Sequence, residues 1–125
     1  MTEVLYFTQT ATPASPANGS NSADVDLITR VVPYTGYSKI RVNATVKVVE
    51  TAGSTAQNAP LLITIGAAEF SFVNVTAAAA DTNFITLQAE RAAAQGATVK
   101  VGVDTLAGAD AATTYQVVSF TVEGV

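Results

Sequence analysis

The segment from Ser38 to Glu50 alternates between polar and apolar residues almost without exception. Its apolar positions are Ile40, Val42, Ala44, Val46 and Val48, and its polar positions are Lys39, Arg41, Asn43, Thr45 and Lys47. Because successive side chains of a β-strand point to opposite faces, this pattern predicts one long strand with an apolar face and a polar face. Such a strand is typical of an antiparallel sheet that covers an apolar core on one side.

Most of the remaining chain repeats this pattern in shorter segments separated by turn residues. We expect further strands at Val4 to Gln9, Asp24 to Val32, Leu61 to Ile65, Glu69 to Val75, Phe84 to Glu90, Ala97 to Val103 and Thr114 to Glu123. About eight strands without a convincing helix predict an all-β fold, an antiparallel jelly-roll-like sandwich. The residues that we expect in its core are Ile40, Val42, Val46, Val48, Ile63, Ile65, Leu87, Val99, Val101 and Phe120.

The chain is expected to divide into a short N-terminal region and one domain. Residues 1–23 form a strand and an extended arm, and residues 24–125 form the jelly-roll domain. The arm, Thr10 to Ser22, contains Pro13 and Pro16, which favour extended backbone without internal hydrogen bonds. A segment of this kind can become ordered on a neighbouring surface.

The composition excludes several classes of function. The sequence has no cysteine and no histidine, which removes zinc sites and the catalytic Ser–His–Asp and Cys–His groups. A net charge of −4 argues against nucleic-acid binding, and no apolar run approaches the ~20 residues of a membrane span. Because Met1 to Thr8 lacks the basic start and apolar run of a secretory signal, we expect synthesis in the cytoplasm without a signal peptide.

The carboxylates are the remaining side chains that could catalyse a reaction or bind a metal ion. A pair of them could perform acid–base catalysis of the glycosidase kind, but most lie at expected strand ends or in loops, without tryptophan beside them. Asp24, Asp26, Asp104 and Asp110 could supply oxygen ligands to Ca²⁺, although hydrogen-bonded Asx turns explain loop aspartates equally well. We therefore expect no enzyme, no cofactor and no bound metal.

Two groups of residues are candidates for contact with a ligand or a larger particle. Lys39, Arg41 and Lys47 share the polar face of the long strand and could bind an acidic protein surface or a charged glycan. The alternative is a solvated face that also blocks unwanted edge pairing. Tyr34 and Tyr37 lie in the preceding turn, where an exposed aromatic side chain could contact a sugar.

The first and last strands are apolar at both odd and even positions. If one face of each strand meets the core, the other is available to a second subunit, and the residues expected at that interface are Val4, Tyr6, Phe7, Tyr115 and Val117. The alternative is that both strands are central in their sheets and covered by loops. The first interpretation predicts a homo-oligomer.

The second half of the chain has a recognisable order of motifs. Gly36-Tyr37-Ser38-Lys39-Ile40-Arg41-Val42 opens the long strand, Gln95-Gly96-Ala97-Thr98-Val99-Lys100-Val101 follows a small-residue turn, and Tyr115 to Val122 ends the chain with Phe120 at its centre. This order resembles the C1q/TNF-like trimeric jelly roll, of the kind used in bacteriophage head decoration (cement) or spike proteins. The sequence departs from that family at Gly96-Ala97, where the family has Gly-Asp.

The resemblance implies a homotrimer with its first and last strands in the inner sheet, and it leaves two functions open. One is a structural virion protein, a capsid decoration or head-spike subunit on the particle surface, with the major capsid protein lattice as partner. The alternative is a trimeric glycan-binding or receptor-binding head. Neither function involves nucleic acid or a membrane.

Overall fold

The computed structural model of the protein describes residues 3–8, 25–33, 37, 39–50, 58–75, 82–93, 95–103 and 113–125. Within these ranges the chain forms eight strands: β1 (Glu3–Thr8), β2 (Val25–Val31), β3 (Ile40–Glu50), β4 (Asn58–Ile65), β5 (Ala68–Val75), β6 (Thr82–Arg91), β7 (Thr98–Val103) and β8 (Thr113–Gly124). No helix in the same ranges is long and apolar enough to cross a membrane. The expected arm, Thr10 to Ser22, and the domain limit at residue 23 lie outside the described residues.

The strands form two four-stranded sheets with the orders β1-β8-β3-β6 and β2-β7-β4-β5. All neighbours are antiparallel. The chain crosses repeatedly between the sheets, as in a jelly roll with two Greek keys. The all-β, jelly-roll-like sandwich expected from the sequence is therefore confirmed, and the first and last strands are neighbours in one sheet.

The core lies between the sheets and consists mainly of valine, isoleucine and leucine. The ten core residues expected from the sequence are all buried, each with no more than 2% of its surface exposed. In β3 the even-numbered side chains are buried and the odd-numbered ones from Arg41 to Val49 are partly exposed. The alternation in the sequence therefore identified the core face of this strand correctly.

A bulge in β8 explains why the last strand is apolar at both odd and even positions. The pairing of β8 with β3 shifts between Thr45 and Val46, where one extra residue of β8 enters the ladder. Tyr115 and Val117 before the shift, and Phe120 after it, are all buried in the same core. An inserted residue reverses the phase of a strand, so odd and even positions meet one face.

This bulge changes the interpretation of two residues expected at a subunit interface. The side chains of Tyr115 and Val117 are 2% and 0% exposed within a single chain, where they belong to its own core. They are therefore not available to a second subunit. In β1, Val4 is paired with Glu123, Tyr6 with Val122 and Phe7 with Thr121, again across a register shift. An interface through β1 stays a prediction.

Strand β4 begins earlier than its sequence predicts. The sequence predicts a strand from Leu61, yet β4 starts at Asn58. Pro60 is paired with Val73 of β5, whereas pairing of β4 with β7 begins at Leu61. At this position β4 has a strand neighbour on one side only, which is the kind of edge position where proline is found in sheets.

The end of the chain is fixed by a close contact with Tyr37. Val125 N–H donates to the carbonyl of Lys39 at 3.0 Å, and Lys39 N–H donates to the carbonyl of Val125 at 3.1 Å, which extends the β3–β8 ladder. The ring of Tyr37 lies directly over the buried Gly124, so that a methyl group at this position would overlap it. Glycine is therefore required sterically at residue 124.

Replacing Gly124 by alanine is expected to lower the free energy of unfolding by about 1–3 kcal/mol, because the ring of Tyr37 must move. Urea unfolding followed by circular dichroism measures the loss. Tyr37→Ala in the same background removes the opposing ring, so the double variant should lose less than the sum of the two single variants. Strict additivity would contradict this account of the contact.

Candidate functional site

The outer face of the first sheet carries a continuous row of polar side chains on three neighbouring strands. We call it the polar face, and define it as the outward side chains of β3, β6 and β8: Arg41, Asn43, Thr45, Lys47, Val49, Thr82, Phe84, Thr86, Gln88, Glu90, Thr114, Gln116, Ser119, Thr121 and Glu123. Each of these side chains is partly or fully exposed. The outer face of the second sheet differs, because Leu62 and its partner Gly102 are buried there, outside the main core.

One end of the polar face is a cluster of ion pairs. Arg41 lies between two carboxylates, with its Nε 2.9 Å from Glu90 Oε2 and its Nη1 3.6 Å from Glu123 Oε2. Lys39 Nζ lies 3.5 Å from Glu90 Oε1. The hydrogen bond from Arg41, with the nearby charges of Arg41 and Lys39, holds the pKa of Glu90 below its ordinary value of 4.5. The charges in this cluster therefore neutralise one another.

The middle of the polar face carries amides and hydroxyls. Gln88 Nε2 donates a hydrogen bond of 2.7 Å to Asn43 Oδ1, directly across the β3–β6 pair. The next row places Thr86, Thr45 and Ser119 side by side on three neighbouring strands. Hydroxyl groups both donate and accept hydrogen bonds, so this row can bind polar groups of either kind.

The far part of the polar face carries an exposed aromatic ring. Phe84 of β6 has 64% of its surface exposed, and its partner across the ladder is Lys47, which is in turn paired with Gln116 of β8. The other large apolar residue exposed in the described ranges is Val31 on the second sheet, at 50%. Phe84 is thus an aromatic platform flanked by a cation and polar groups on a regular sheet.

Phe84 was not among the site residues expected from the sequence. The alternation of β6, with Ile85, Leu87 and Ala89 inward, already predicts that Phe84 points outward. The sequence alone could not show that the polar rows of β3 and β8 lie beside it. That neighbourhood depends on the strand order, which periodicity does not contain.

Three of the expected contact residues lie on or beside the polar face, and a fourth, Tyr37, does not. Arg41 and Lys47 lie on the polar face, and Lys39 adjoins it through Glu90, with 58% of its side chain exposed. Tyr37 is half-buried and packs against the core and Gly124, which gives it a structural role. Tyr34 lies outside the described residues.

The acidic residues considered for calcium do not form a cluster where they are described. Asp26 Oδ2 lies 3.3 Å from Lys100 Nζ, across the β2–β7 pair. In the part of the chain that the structure describes, no three acidic residues are grouped so that they could hold a metal ion. Asp24, Asp104 and Asp110 lie outside that part.

A shallow hollow of about 400 Å³ lies at one end of the sandwich, between the β4–β5 turn and the segment that joins β6 to β7. It is lined mainly by alanines, with Arg91 at its edge. Its described lining residues include no aromatic side chain and a single charged one. It offers fewer groups for recognition than the polar face does.

The comparisons with known proteins show a shared fold. No protein-family model matches the sequence, and no curated protein matches it significantly. The C-terminal domain of EclA, described as a sugar-binding protein, superposes with a TM-score of 0.58 at 11% identity over 90% of this chain and 76% of that one. A family 35 carbohydrate-binding module from Clostridium thermocellum gives 0.45 at 13% identity over 98% and 97%.

The superposition on the EclA domain supports the sandwich fold expected from the sequence. The names of both neighbours refer to sugar or carbohydrate binding. Membership of the C1q/TNF-like family or of a phage family is not shown. At this level of identity the likeness establishes the fold and leaves the function to the residues of the site.

The ion-pair cluster generates a prediction about pH. Because the pKa of Glu90 is lowered in the folded state, its contribution to stability is present above the ordinary value of 4.5 and is lost as the pH falls through the lowered pKa. Arg41→Met should raise the pKa of Glu90, as followed by NMR of its carboxyl carbon. The stability difference between this variant and the wild type should shrink as the pH falls below about 4.5.

Lys100→Met is the matched control, since it breaks an ion pair on the other sheet. It should leave the titration of Glu90 unchanged. A pKa of Glu90 that does not respond to Arg41→Met would contradict the assignment of this pair.

Proposed function

We propose that this domain is a non-catalytic carbohydrate-binding domain and that its binding surface is the polar face around Phe84. The exposure of Phe84 is the observation that carries the proposal. A large aromatic ring held 64% exposed on a regular strand costs solvation free energy and adds little to the core. Its position is explained if a ligand covers it.

A sugar ring matches the chemistry of this surface. A pyranose has an apolar C–H face that can lie on an aromatic ring, and a rim of hydroxyls that needs hydrogen-bond partners. Beside Phe84 the hydroxyls of Thr86, Thr45 and Ser119 and the amide of Gln116 supply both donors and acceptors. Apolar contact combined with a few placed polar groups is the usual composition of a small-ligand site.

The sheet also gives the site the rigidity that sugar recognition needs. Each contributing side chain stands on β3, β6 or β8, and β3 is hydrogen-bonded to both of the other strands. Side chains on paired strands keep their spacing without the ligand, so less conformational entropy is lost on binding. The EclA domain, named as sugar-binding, is compatible with the proposal because it shares the fold.

The carboxylates of the polar face support binding rather than hydrolysis. Glu90 and Glu123 both lie beside Arg41, and the pKa of Glu90 is lowered. A glycosidase needs one carboxyl group whose pKa is raised, so that it can donate a proton to the leaving group. A carboxylate held ionised by arginine is unsuited to that role.

The capsid decoration or head-spike role inferred from the resemblance stays a hypothesis, as do the homotrimer and the location on a particle surface. The described residues contain no feature that favours a capsid lattice over a glycan. We therefore propose the glycan-binding function as the better supported of the two.

Phe84→Ala is expected to weaken saccharide binding about tenfold or more, because the apolar area under the sugar ring is lost. A glycan array identifies a bound saccharide, and isothermal titration calorimetry then compares the variants. Val31→Ala is the matched control, since it removes an exposed apolar side chain from the other sheet. Both variants should keep the circular dichroism of the wild type.

If Phe84→Ala binds the saccharide as tightly as the wild type, the polar face is not the binding surface. If the wild-type protein binds no saccharide on the array at millimolar concentration, the proposed carbohydrate-binding function is wrong.

A further inference from the structure

The cations on and beside the polar face differ in whether a nearby carboxylate neutralises them. Lys39 and Arg41 are in ion pairs with Glu90, and Arg41 is also close to Glu123. For Lys47 no carboxylate of a described residue lies within ion-pair distance. Among the described residues of this face, the cation without a carboxylate partner is therefore Lys47.

Lys47 lies beside the aromatic platform. It is the direct ladder partner of Phe84 on one side and of Gln116 on the other. Residues directly opposite in an antiparallel pair have Cβ atoms about 5 Å apart, which is close to the width of one sugar ring. A ring lying on Phe84 thus brings its substituents within reach of the Lys47 ammonium and the Gln116 amide.

We infer that the polar face selects an acidic saccharide, with one sugar ring on Phe84 and its carboxylate accepting hydrogen bonds from Lys47 Nζ and Gln116 Nε2. This inference rests on the proposed function and names the class of sugar for the same site. The ion-pair cluster at the other end contributes no selectivity for charge, because its own carboxylates already neutralise its cations. The acidic group therefore binds at the Phe84 end.

The chemistry of lysine determines which acidic sugars this site can distinguish from one another. An ammonium group acts as a compact point charge, whereas the planar fork of arginine favours two-point contact with a carboxylate. Lysine thus recognises the negative charge of a sugar more than its geometry. A sulfated sugar shares this charge, and the test below separates it from a uronic acid.

The test measures affinity for pairs of saccharides that differ only in the carboxylate. The probes are oligosaccharides of glucuronate, galacturonate and mannuronate, each with its carboxyl-reduced neutral counterpart, and a sulfated oligosaccharide. Wild-type protein should bind at least one acidic member roughly threefold to tenfold more tightly than its reduced counterpart at low salt. This preference should fall in 0.5 M NaCl, since exposed charges are screened at that ionic strength.

Lys47→Met keeps most of the side-chain stem and removes the charge, so it should abolish the preference and retain binding of the neutral sugar. Lys39→Met, one residue before the opposite end of β3, is the matched control and should keep the preference because that charge is paired with Glu90. Preference for the sulfated probe over every uronate would replace the carboxylate by sulfate as the recognised group and overturn the assignment to uronic acids.

Further outcomes separate failure of the inference from failure of the proposed function. Equal affinity for acidic and neutral partners, with binding still lost in Phe84→Ala, would overturn the inference alone. A preference for acidic sugars that is unaffected by Lys47→Met would also overturn it alone. No binding to these probes by a protein that binds another saccharide on the array would overturn the inference alone. No saccharide binding at all, or binding indifferent to Phe84→Ala, would overturn both.

Discussion

The pairing of β3 with two neighbours at once is the interaction on which the rest of the structure depends. This eleven-residue strand is hydrogen-bonded along its length to β6 on one side and β8 on the other. Its even-numbered side chains fill the core and its odd-numbered ones form the centre of the polar face. A slip of one residue in either pairing would exchange the two sets, so one register determines both stability and the composition of the candidate site.

The core could be predicted from the sequence because the alternation that marks it is local to each strand. The site was predicted less well because it depends on which strands are neighbours, and that information is not local. Alternation in β3 and β7 assigns each side chain to a face without knowledge of the partner strands. The bulge in β8 and the early start of β4 at Asn58 depend on pairing between distant segments. Apolar residues in both phases of β8 therefore suggested a subunit interface, where the chain instead buries Tyr115 in its own core.

The polar face combines two kinds of surface that composition alone cannot separate. At one end Arg41, Glu90 and Glu123 are partners of one another, and the amides of Gln88 and Asn43 are joined by a hydrogen bond. Polar groups that already have partners gain little from a ligand. Towards the other end lies an aromatic ring 64% exposed beside Lys47, for which no carboxylate of a described residue lies within ion-pair distance. Recognition is therefore expected at this second end.

The most direct test of the central claim is to map a bound saccharide onto the backbone by amide NMR. On titration with a saccharide selected by the array, the account predicts that the largest shift changes occur at Phe84, Thr86, Lys47 and Gln116. The amides that line the end hollow, such as Gly66 and Ala97, should be unaffected. Shift changes confined to that hollow, or to the second sheet, would contradict the account.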